Sequence, residues 1–254
     1  MLHRAGLLTR VRVPSPAQEA VRDLVRARAD LLDDRKRMQQ RLNAMLLRHG
    51  RVWRGARWAC EHRGWVARQV FAEPALAQTF ALYLGALDAR EELAAAGATM
   101  AGWAGHDPLS GPVARLGAYR GIAQLTGLTL AAEVVDWRRF PSARAFMGFT
   151  GLVPPEYSSG EHTRRGAITR AGSEPARTAL TEAAWAYQHK PAIGVTLRRR
   201  QHGAAPETLA RSWKAQRRLH ARYRAMTARG KPAPLAVTAL ARELAGFVWA
   251  EMTS

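Results

Sequence analysis

The feature of this sequence that most constrains its fold is a heptad pattern in the N-terminal third. Between residues 17 and 49, large apolar side chains recur at every seventh position, at Leu24, Leu31, Met38 and Met45. Such a pattern places one apolar stripe along a long helix, and a partner helix must cover that stripe. A second apolar helical pattern over residues 73–96 provides the partner. The sequence therefore predicts an antiparallel coiled-coil hairpin.

The connector between these two helices alternates aromatic and basic side chains. It begins where Gly50 and Gly55 end the first helix. Its tryptophans Trp53, Trp58 and Trp65 alternate with the basic residues Arg51, Arg54, Arg57 and Arg63. Interleaved aromatic and basic residues can stack on unpaired bases. The same composition is typical of a packed turn in a helical hairpin, and the sequence leaves both interpretations open.

Shifts in composition divide the chain into four parts. We interpret residues 1–16 as the end of a preceding domain and residues 17–100 as the helical hairpin. Residues 101–112 are rich in glycine and proline and are interpreted as a linker. Residues 113–254 predict a compact helical domain, so the expected fold class is mostly α.

The first part of that domain, residues 116–135, predicts a helix, a tight turn and a second helix. Gly121 and Gly127 resemble the glycines of a helix-hairpin-helix element, where backbone amides at a helix N-terminus face a phosphate. Arg138 and Arg139 follow directly and favour nucleic-acid contact as the interpretation. An ordinary corner between two helices is the alternative.

Residues 148–184 bring together several sequence features that are unusual in so short a stretch. An apolar segment ends at two prolines, and Ser158, Ser159 and Gly160 follow; a basic, hairpin-like segment then carries Arg164, Arg165 and Arg170. Arginine can hold phosphate oxygens in a fork while a small hydroxyl side chain approaches the phosphorus. The stretch is therefore a candidate phosphodiester site. The alternative is a polar surface loop with a capping serine.

A basic helix is predicted over residues 206–230. Four cationic side chains recur at intervals of three and four residues and so share one face of the helix: Arg211, Lys214, Arg218 and Arg222. Exposed basic faces are usually only solvated, but this one adds to a domain that is already basic. We include it among the candidate nucleic-acid-binding residues.

The net charge points to a polyanionic partner. The chain of 254 residues carries a formal charge of +19, with arginine spread along its whole length. Nucleic acid is the expected polyanion. We expect no membrane partner, because no stretch looks long and apolar enough to span a bilayer and no signal-peptide core is evident at the N-terminus. The cytoplasm is the default compartment.

Metal-binding patterns are sparse in the sequence. The single Cys60 cannot form an internal disulfide, and the scattered histidines lack zinc spacing. Glu133 and Asp136 could bind a metal as a pair, but a helix-face acid and a capping aspartate are the favoured roles. We therefore assign no metal site and no cofactor to this chain.

A set of segments in the C-terminal half resembles the transposase domain of the DEDD-type insertion-sequence transposases, a family related to the Piv-like DNA invertases. The matching segments, in chain order, are GLTLAAE at 127–133, GLVP at 151–154, YSSG at 157–160, RRG at 164–166, ITR at 168–170, Arg177, AQRRL at 215–219, Arg222-Tyr223 and ARELAGF at 241–247. Their order and spacing make the resemblance specific.

The resemblance implies a serine nucleophile that attacks DNA. The Ser-Gly pair of the family motif matches Ser159-Gly160, with Ser158 as the alternative nucleophile and His162 as the nearest titratable group. It also implies binding through Arg164, Arg165, Arg170 and Arg177. Expected partners are element-end DNA, a guide RNA if the element uses one, and further copies of the chain, since the helical hairpin commonly serves self-association in such families.

The resembled family also places an acidic, metal-binding tetrad in a RuvC-like domain that precedes the helical hairpin. The first acidic residue here is Glu19, beyond the expected position of those acids. We therefore expect Mg²⁺ to serve a full-length family member and not this chain alone, and the resemblance implies N-terminal truncation. The alternative function is an inactive, nucleic-acid-binding remnant of a transposase.

Overall fold

The computed structural model describes residues 13–159, 162–165 and 167–254, with the backbone alone described at 94–99, 101 and in both strands. The predicted 1–16 segment therefore lies almost wholly outside the described residues. The described chain is mostly helical, as predicted. It divides into two compact units, one of residues 26–99 and one of residues 100–254 together with the chain up to Val25.

The helices and strands are the following. The α-helices are α1 Pro16–Arg48, α2 Cys60–Ala67, α3 Pro74–Ala96, α4 Ser110–Gly117, α5 Gln124–Val134, α6 Ala143–Phe149, α7 Glu174–Ala184, α8 Val195–Gln201, α9 Pro206–Ala228 and α10 Ala233–Thr253. Short 3₁₀ helices span Gly97–Gly105, Trp137–Arg139 and Trp185–Gln188. Strands β1 Glu156–Ser159 and β2 His162–Arg165 form one antiparallel hairpin.

The unit of residues 26–99 is built on the second half of α1 and on α3. Its core joins apolar side chains of both helices to those of the connector: Met38, Leu42, Met45, Leu46, Val66, Phe71, Phe80 and Leu87. Arg90 Nε lies 3.9 Å from Asp34 Oδ2, while Phe71 packs on both His49 and Phe80. These contacts give α1 and α3 antiparallel courses. Supercoiling and self-association stay predictions.

The connector is packed around a histidine. His62 is 1% exposed, and the rings of Trp53, Trp58 and Trp65 lie 4.9–5.6 Å from its ring centre. The Trp58 backbone N–H donates to His62 Nδ1 at 2.9 Å. Burial, and secondarily the charge of Arg57, lower the pKa of His62. These contacts match the packed-turn interpretation of the tryptophans.

The heptad stripe of α1 serves two cores. Met38 and Met45 belong to the core of the 26–99 unit. Val21 and Val25, with Leu24 beside them, instead pack into the other unit, against buried residues that include Leu128. The predicted linker also contributes here, because Ala104 and Leu109 are buried in the same cluster and Met100 joins them.

Helix α10 is the central element of the larger unit. It packs against α9, α7, α6 and α4, and Val237, Leu240, Leu244 and Val248 are fully buried. By length and composition, α10 is apolar enough to cross a membrane. The prediction that no stretch reaches that threshold was therefore wrong. The packing gives the physical reason, because a core helix that buries several of its faces is as apolar as a membrane span.

Candidate nucleic-acid interface

The predicted hairpin-like segment forms a two-stranded hairpin. Its backbone register pairs Ser158 with Thr163 and Ser159 with His162. The candidate nucleophile thus lies directly across from the residue that the sequence singled out as its nearest titratable group. The side chains of Ser158, Ser159, Arg164 and Arg165 are outside the described part, so their roles stay predictions.

The base of this hairpin is held by backbone hydrogen bonds between two chain segments. Thr169 N donates to Val153 O at 2.9 Å, and Arg170 N donates to Gly151 O at 3.1 Å. A third bond joins Ser173 N to the carbonyl of the last residue of α6 at 2.9 Å. We call residues 149–153 together with 167–173 the hairpin base.

Three residues of the hairpin base have a positive φ. Gly151 and Gly172 have φ of 66° and 111°, and a Cβ on either would collide with backbone across the base. Glycine is therefore required at both positions. Arg170 has φ 56° without being glycine, a strained conformation that survives only where surrounding contacts enforce it.

Arg177 provides such a contact. Its Nη1 donates to Thr150 O at 3.2 Å and to Arg170 O at 3.0 Å, so one guanidinium group joins both segments of the base. Both acceptors are neutral carbonyls, and neither cancels its charge. Arg177 was predicted from the resemblance as a nucleic-acid-binding residue, and in the structure it also supports the loop that carries Arg170.

A buried carboxylate supports the same region from α5. Glu133 is 3% exposed and accepts from Ser173 Oγ at 2.9 Å. Ser173 also caps α7 by accepting from Ala176 N. Asp136 accepts from Arg138 N at 3.0 Å and caps the following 3₁₀ helix, so the predicted capping aspartate is confirmed.

The two glycines of the predicted helix-hairpin-helix turn are explained by packing inside the protein. Helices α4 and α5 flank the turn, in the predicted order. Gly121 has φ 83°, and a Cβ there would collide with the carbonyl of Ala183 in α7. Gly127 is buried in α5, where a Cβ would meet Val113 Cγ1 at 3.4 Å. A phosphate contact at this turn stays a prediction.

Arg138 and Arg139 are both exposed. The Arg139 guanidinium carbon lies 4.6 Å from the ring centre of Phe140 and 4.7 Å from that of Phe149, a cation–π arrangement. Phe149 begins the hairpin base, so the structure brings Arg139 to the same region as Arg170 and Arg177.

The predicted basic face of α9 divides into two environments. Arg211 is directed toward the fully buried Glu251 of α10, whereas Lys214 is exposed. Arg218 and Arg222 are exposed and share Glu243 of α10 as their acidic partner. Spacing along one helix did not indicate this division, because both acidic partners lie on another helix.

The sequence reasoning missed the group around Glu251. Arg115 of α4 donates to Glu251, as do Thr208 and Arg211 of α9 and Tyr119 after α4. Burial alone would raise the pKa of Glu251, but the hydrogen bonds from Thr208, Arg211 and Arg115 outweigh burial and lower it. The signal for this group in the sequence was the acidic residue Glu251 within the otherwise apolar pattern of α10.

The segment that contains the hairpin, its base and the α4–α5 turn matches a known family. Residues 113–198 match the model of the transposase IS116/IS110/IS902 family. This segment is thus similar to transposases of the IS116/IS110/IS902 family. This result agrees with the coarser part of the resemblance read from the sequence, an insertion-sequence transposase.

Two relatives extend the similarity beyond this domain. “Putative transposase y4qE” of Sinorhizobium fredii (strain NBRC 101917 / NGR234) is 42% identical over 250 residues, which cover 98% of this chain and 61% of the relative. The transposase for insertion sequence element IS1533 of Leptospira borgpetersenii is 29% identical over 226 residues, covering 83% of this chain and 62% of the relative. The chain thus spans about three-fifths of the length of each.

For Mg²⁺, the metal that the resemblance implies for full-length members, the relevant ligands are the side-chain donors among the described residues. Within them, no three His, Cys, Asp or Glu side chains come together as metal ligands. Glu133 is engaged with Ser173, and Asp136 with a helix cap. These residues do not fit a divalent-metal site, and we derive no step through a metal.

Proposed function

We propose that this chain serves in DNA transposition as part of an insertion-sequence transposase. In this proposal it binds element-end DNA through the hairpin and its base and offers Ser159 as the nucleophile. The observation that carries the proposal is the hairpin base. Within the segment that matches the family, the strained and cross-braced base carries Arg170 and contacts Arg177 and Arg139. Along the chain, this base leads into the strand that contains the two serines.

The charges at the base support contact with phosphate. Arg177 binds carbonyl oxygens, and Arg139 lies over aromatic rings. The carbonyl partners of Arg177 do not remove its positive charge, so the field around the base remains attractive to a phosphodiester. The strain at Arg170 agrees with this proposal, because strained backbone clusters at functional sites.

The proposed step is a transesterification at phosphorus. The Ser159 oxygen forms a new P–O bond while the bond from phosphorus to the leaving deoxyribose oxygen breaks. The serine proton passes to a base or to water, and the leaving oxygen takes up a proton. Arginine can stabilise the developing charge but cannot serve as the base at neutral pH, so His162, opposite Ser159 in the register, is the proposed acceptor.

Covalent capture tests this function directly. Labelled element-end DNA is mixed with the chain, with and without a separately expressed RuvC-like domain and any cognate RNA, and a DNA-linked species is sought on a denaturing gel. We expect an adduct that Ser159→Ala abolishes and that the matched Ser158→Ala variant retains. An adduct that survives Ser159→Ala and is lost in Ser158→Ala would reassign the nucleophile.

Binding is measured separately by titrating salt. The logarithm of the affinity should fall with the logarithm of salt concentration, with a slope of about −0.9 per neutralised phosphate on duplex DNA. Salt-sensitive binding without an adduct under any condition would favour the alternative of a nucleic-acid-binding remnant. An affinity independent of salt would contradict both proposals.

Partners beyond DNA belong to the same proposal. We infer that an acid-bearing RuvC-like domain, a guide RNA where the element encodes one, and further copies of this chain complete the assembly. The family match and the excess of arginine support this inference. Size-exclusion chromatography with light scattering, with and without RNA, measures the assembly state.

A further inference from the structure

A cavity lies apart from the hairpin, at the junction of four elements of the larger unit. Its volume is about 650 Å³, and it is bounded by α4, the α8–α9 connection, the first turns of α9 and the end of α10. Cavities of this size hold small-molecule ligands in proteins. One nucleotide is of suitable size for it.

The cavity wall is rich in arginine. Arg115, Arg200 and Arg211 line it from three different helices, and two acids, Glu207 and Glu251, accompany them. Three cations against two carboxylates leave the wall positive. This positive balance favours an anion in the cavity.

Glu251 acts as the anchor for two of the arginines. Its Oε1 accepts from Arg115 Nε at 3.0 Å and from Thr208 Oγ at 2.7 Å. Its Oε2 accepts from Tyr119 OH at 3.2 Å and from Arg211 Nη1. Each guanidinium group has five N–H donors in a rigid fork, so Glu251 fixes the position of both groups while leaving N–H donors over.

Arg200 provides a donor that the protein does not use. Its Nη1 donates to Ile122 O, but its buried Nε has no hydrogen-bond partner among the described residues. Burial lowers the pKa of Arg200, as expected where a cation lacks an anionic partner. The Nε atom is closed to solvent, so Arg200 contributes its positive charge to the cavity wall that it lines.

We propose that this cavity binds a phosphate monoester, namely the phosphorylated end of a nucleic-acid strand whose terminal nucleotide enters the cavity. This proposal rests on the proposed function for its nucleic-acid partner. A terminal phosphate fits a concave site better than an internal phosphodiester does, because the nucleic-acid strand continues from only one side of a terminal phosphate. A phosphate monoester carries about −1.5 to −2 charges near neutral pH and three strong acceptor oxygens, which suit the N–H donors that the anchored guanidinium groups leave over.

The test compares two oligonucleotides of identical sequence, one with a 5′-phosphate and one with a 5′-hydroxyl, by fluorescence anisotropy with the full chain at fixed salt. We expect the phosphorylated strand to bind about tenfold more tightly, the effect of one good charge-assisted contact. Ala114→Glu, at an exposed position on the cavity wall, should abolish that preference. The matched control Ala20→Glu makes the same charge change at an exposed position of α1 and should retain it.

A second variant guards against misfolding of the first. Ala205→Trp, also at an exposed wall position, fills the cavity without adding charge and should likewise abolish the preference. Circular dichroism and thermal melting check that each variant is folded. Equal binding of both strands by the unmodified chain, or a preference that survives both wall variants, would overturn the proposal.

Two further outcomes separate this proposal from the proposed function. Inorganic phosphate that binds the cavity while the 5′-phosphate gives no gain would identify a free-phosphate site and overturn the strand-end assignment. Salt-sensitive binding of both strands without preference would overturn the cavity proposal alone. Failure of both strands to bind would overturn the cavity proposal and the proposed function together.

Discussion

The hairpin base and the Glu251 group, which is Glu251 with its hydrogen-bond donors, both hold arginine side chains in place. They do so with different acceptors. At the hairpin base, Arg177 donates to backbone carbonyls and keeps its full charge. At the Glu251 group, a fully buried carboxylate neutralises part of the charge of Arg115 and Arg211. The first arrangement favours an electrostatic field around a loop, and the second favours exact placement of donors around a cavity.

This difference has consequences for stability. A buried carboxylate with four donors is costly to disrupt, because each donor loses its acceptor inside the protein. A loop braced by carbonyl contacts and glycines depends more on backbone conformation. Substitutions in the two regions should therefore differ in how strongly they lower the free energy of unfolding.

Removing the buried carboxylate should have the largest effect. Glu251→Ala leaves Arg115 and Arg211 partly buried without their anion, and Tyr119 loses its acceptor. We expect a loss of about 3 kcal/mol in the free energy of unfolding, measured by urea denaturation. The control is Glu243→Ala, whose partners Arg218 and Arg222 are more than half exposed and whose loss should cost at most about 1 kcal/mol. Equal losses would show that burial does not distinguish the two carboxylates.

A glycine of the hairpin base should come next. Gly172→Ala places a Cβ against the Phe149 carbonyl at φ 111°, and we expect a loss of about 2–3 kcal/mol. Gly203→Ala is the matched control, because Gly203 also has a positive φ, 75°, but has open space around it. That control should lose only about 1–2 kcal/mol. Indistinguishable thermal melting of the two variants would show that close packing around Gly172 does not contribute to the stability of the hairpin base.

The brace at the base should contribute less. Arg177→Gln removes two hydrogen bonds, a partly buried one to Thr150 O and an exposed one to Arg170 O, and we expect a loss of about 1–2 kcal/mol. The exposed Arg199 of α8 provides the control, since Arg199→Gln makes the same charge change. Amide hydrogen exchange should show faster exchange at Thr169 and Arg170 in the Arg177 variant only. Unchanged protection there would contradict the bracing role.

Local patterns predicted much of this architecture. The helical class, the order of helix, turn and helix around Gly121, the hairpin at Ser159 and the cap at Asp136 all depend on residues close in sequence. Such features follow from short-range preferences for helices, turns and caps. The basic character of the candidate interface was likewise visible in composition.

Features that depend on distant partners were not predicted. Periodicity showed that α1 has a buried stripe, but not that Val21 and Val25 enter a different core from Met38. Helical spacing placed Arg211 on a basic face, yet Glu251, 40 residues further along the chain, directs it inward. A glycine indicates that another group approaches the backbone closely, but only the structure shows that this group at Gly121 is the Ala183 carbonyl of α7.

The smallest expected effect is the dependence of each unit's stability on pH. The pKa of Glu251 is lowered in the folded state, so its contribution is complete above the ordinary glutamate pKa of about 4.3 and is lost as pH falls through the lower folded value. The pKa of His62 is also lowered, so the folded 26–99 unit disfavours the protonated form. That unit should begin to lose stability as pH falls below about 6.5.

Amide hydrogen exchange at several pH values, followed separately in α3 and α10, measures this contrast. Protection in α3 should weaken at a higher pH than protection in α10. His62→Gln should remove the early loss in α3, and Glu251→Gln should flatten the acid loss in α10, because neither glutamine titrates. Simultaneous loss of protection in both helices, unchanged by either substitution, would show that neither buried group sets the acid response of its unit.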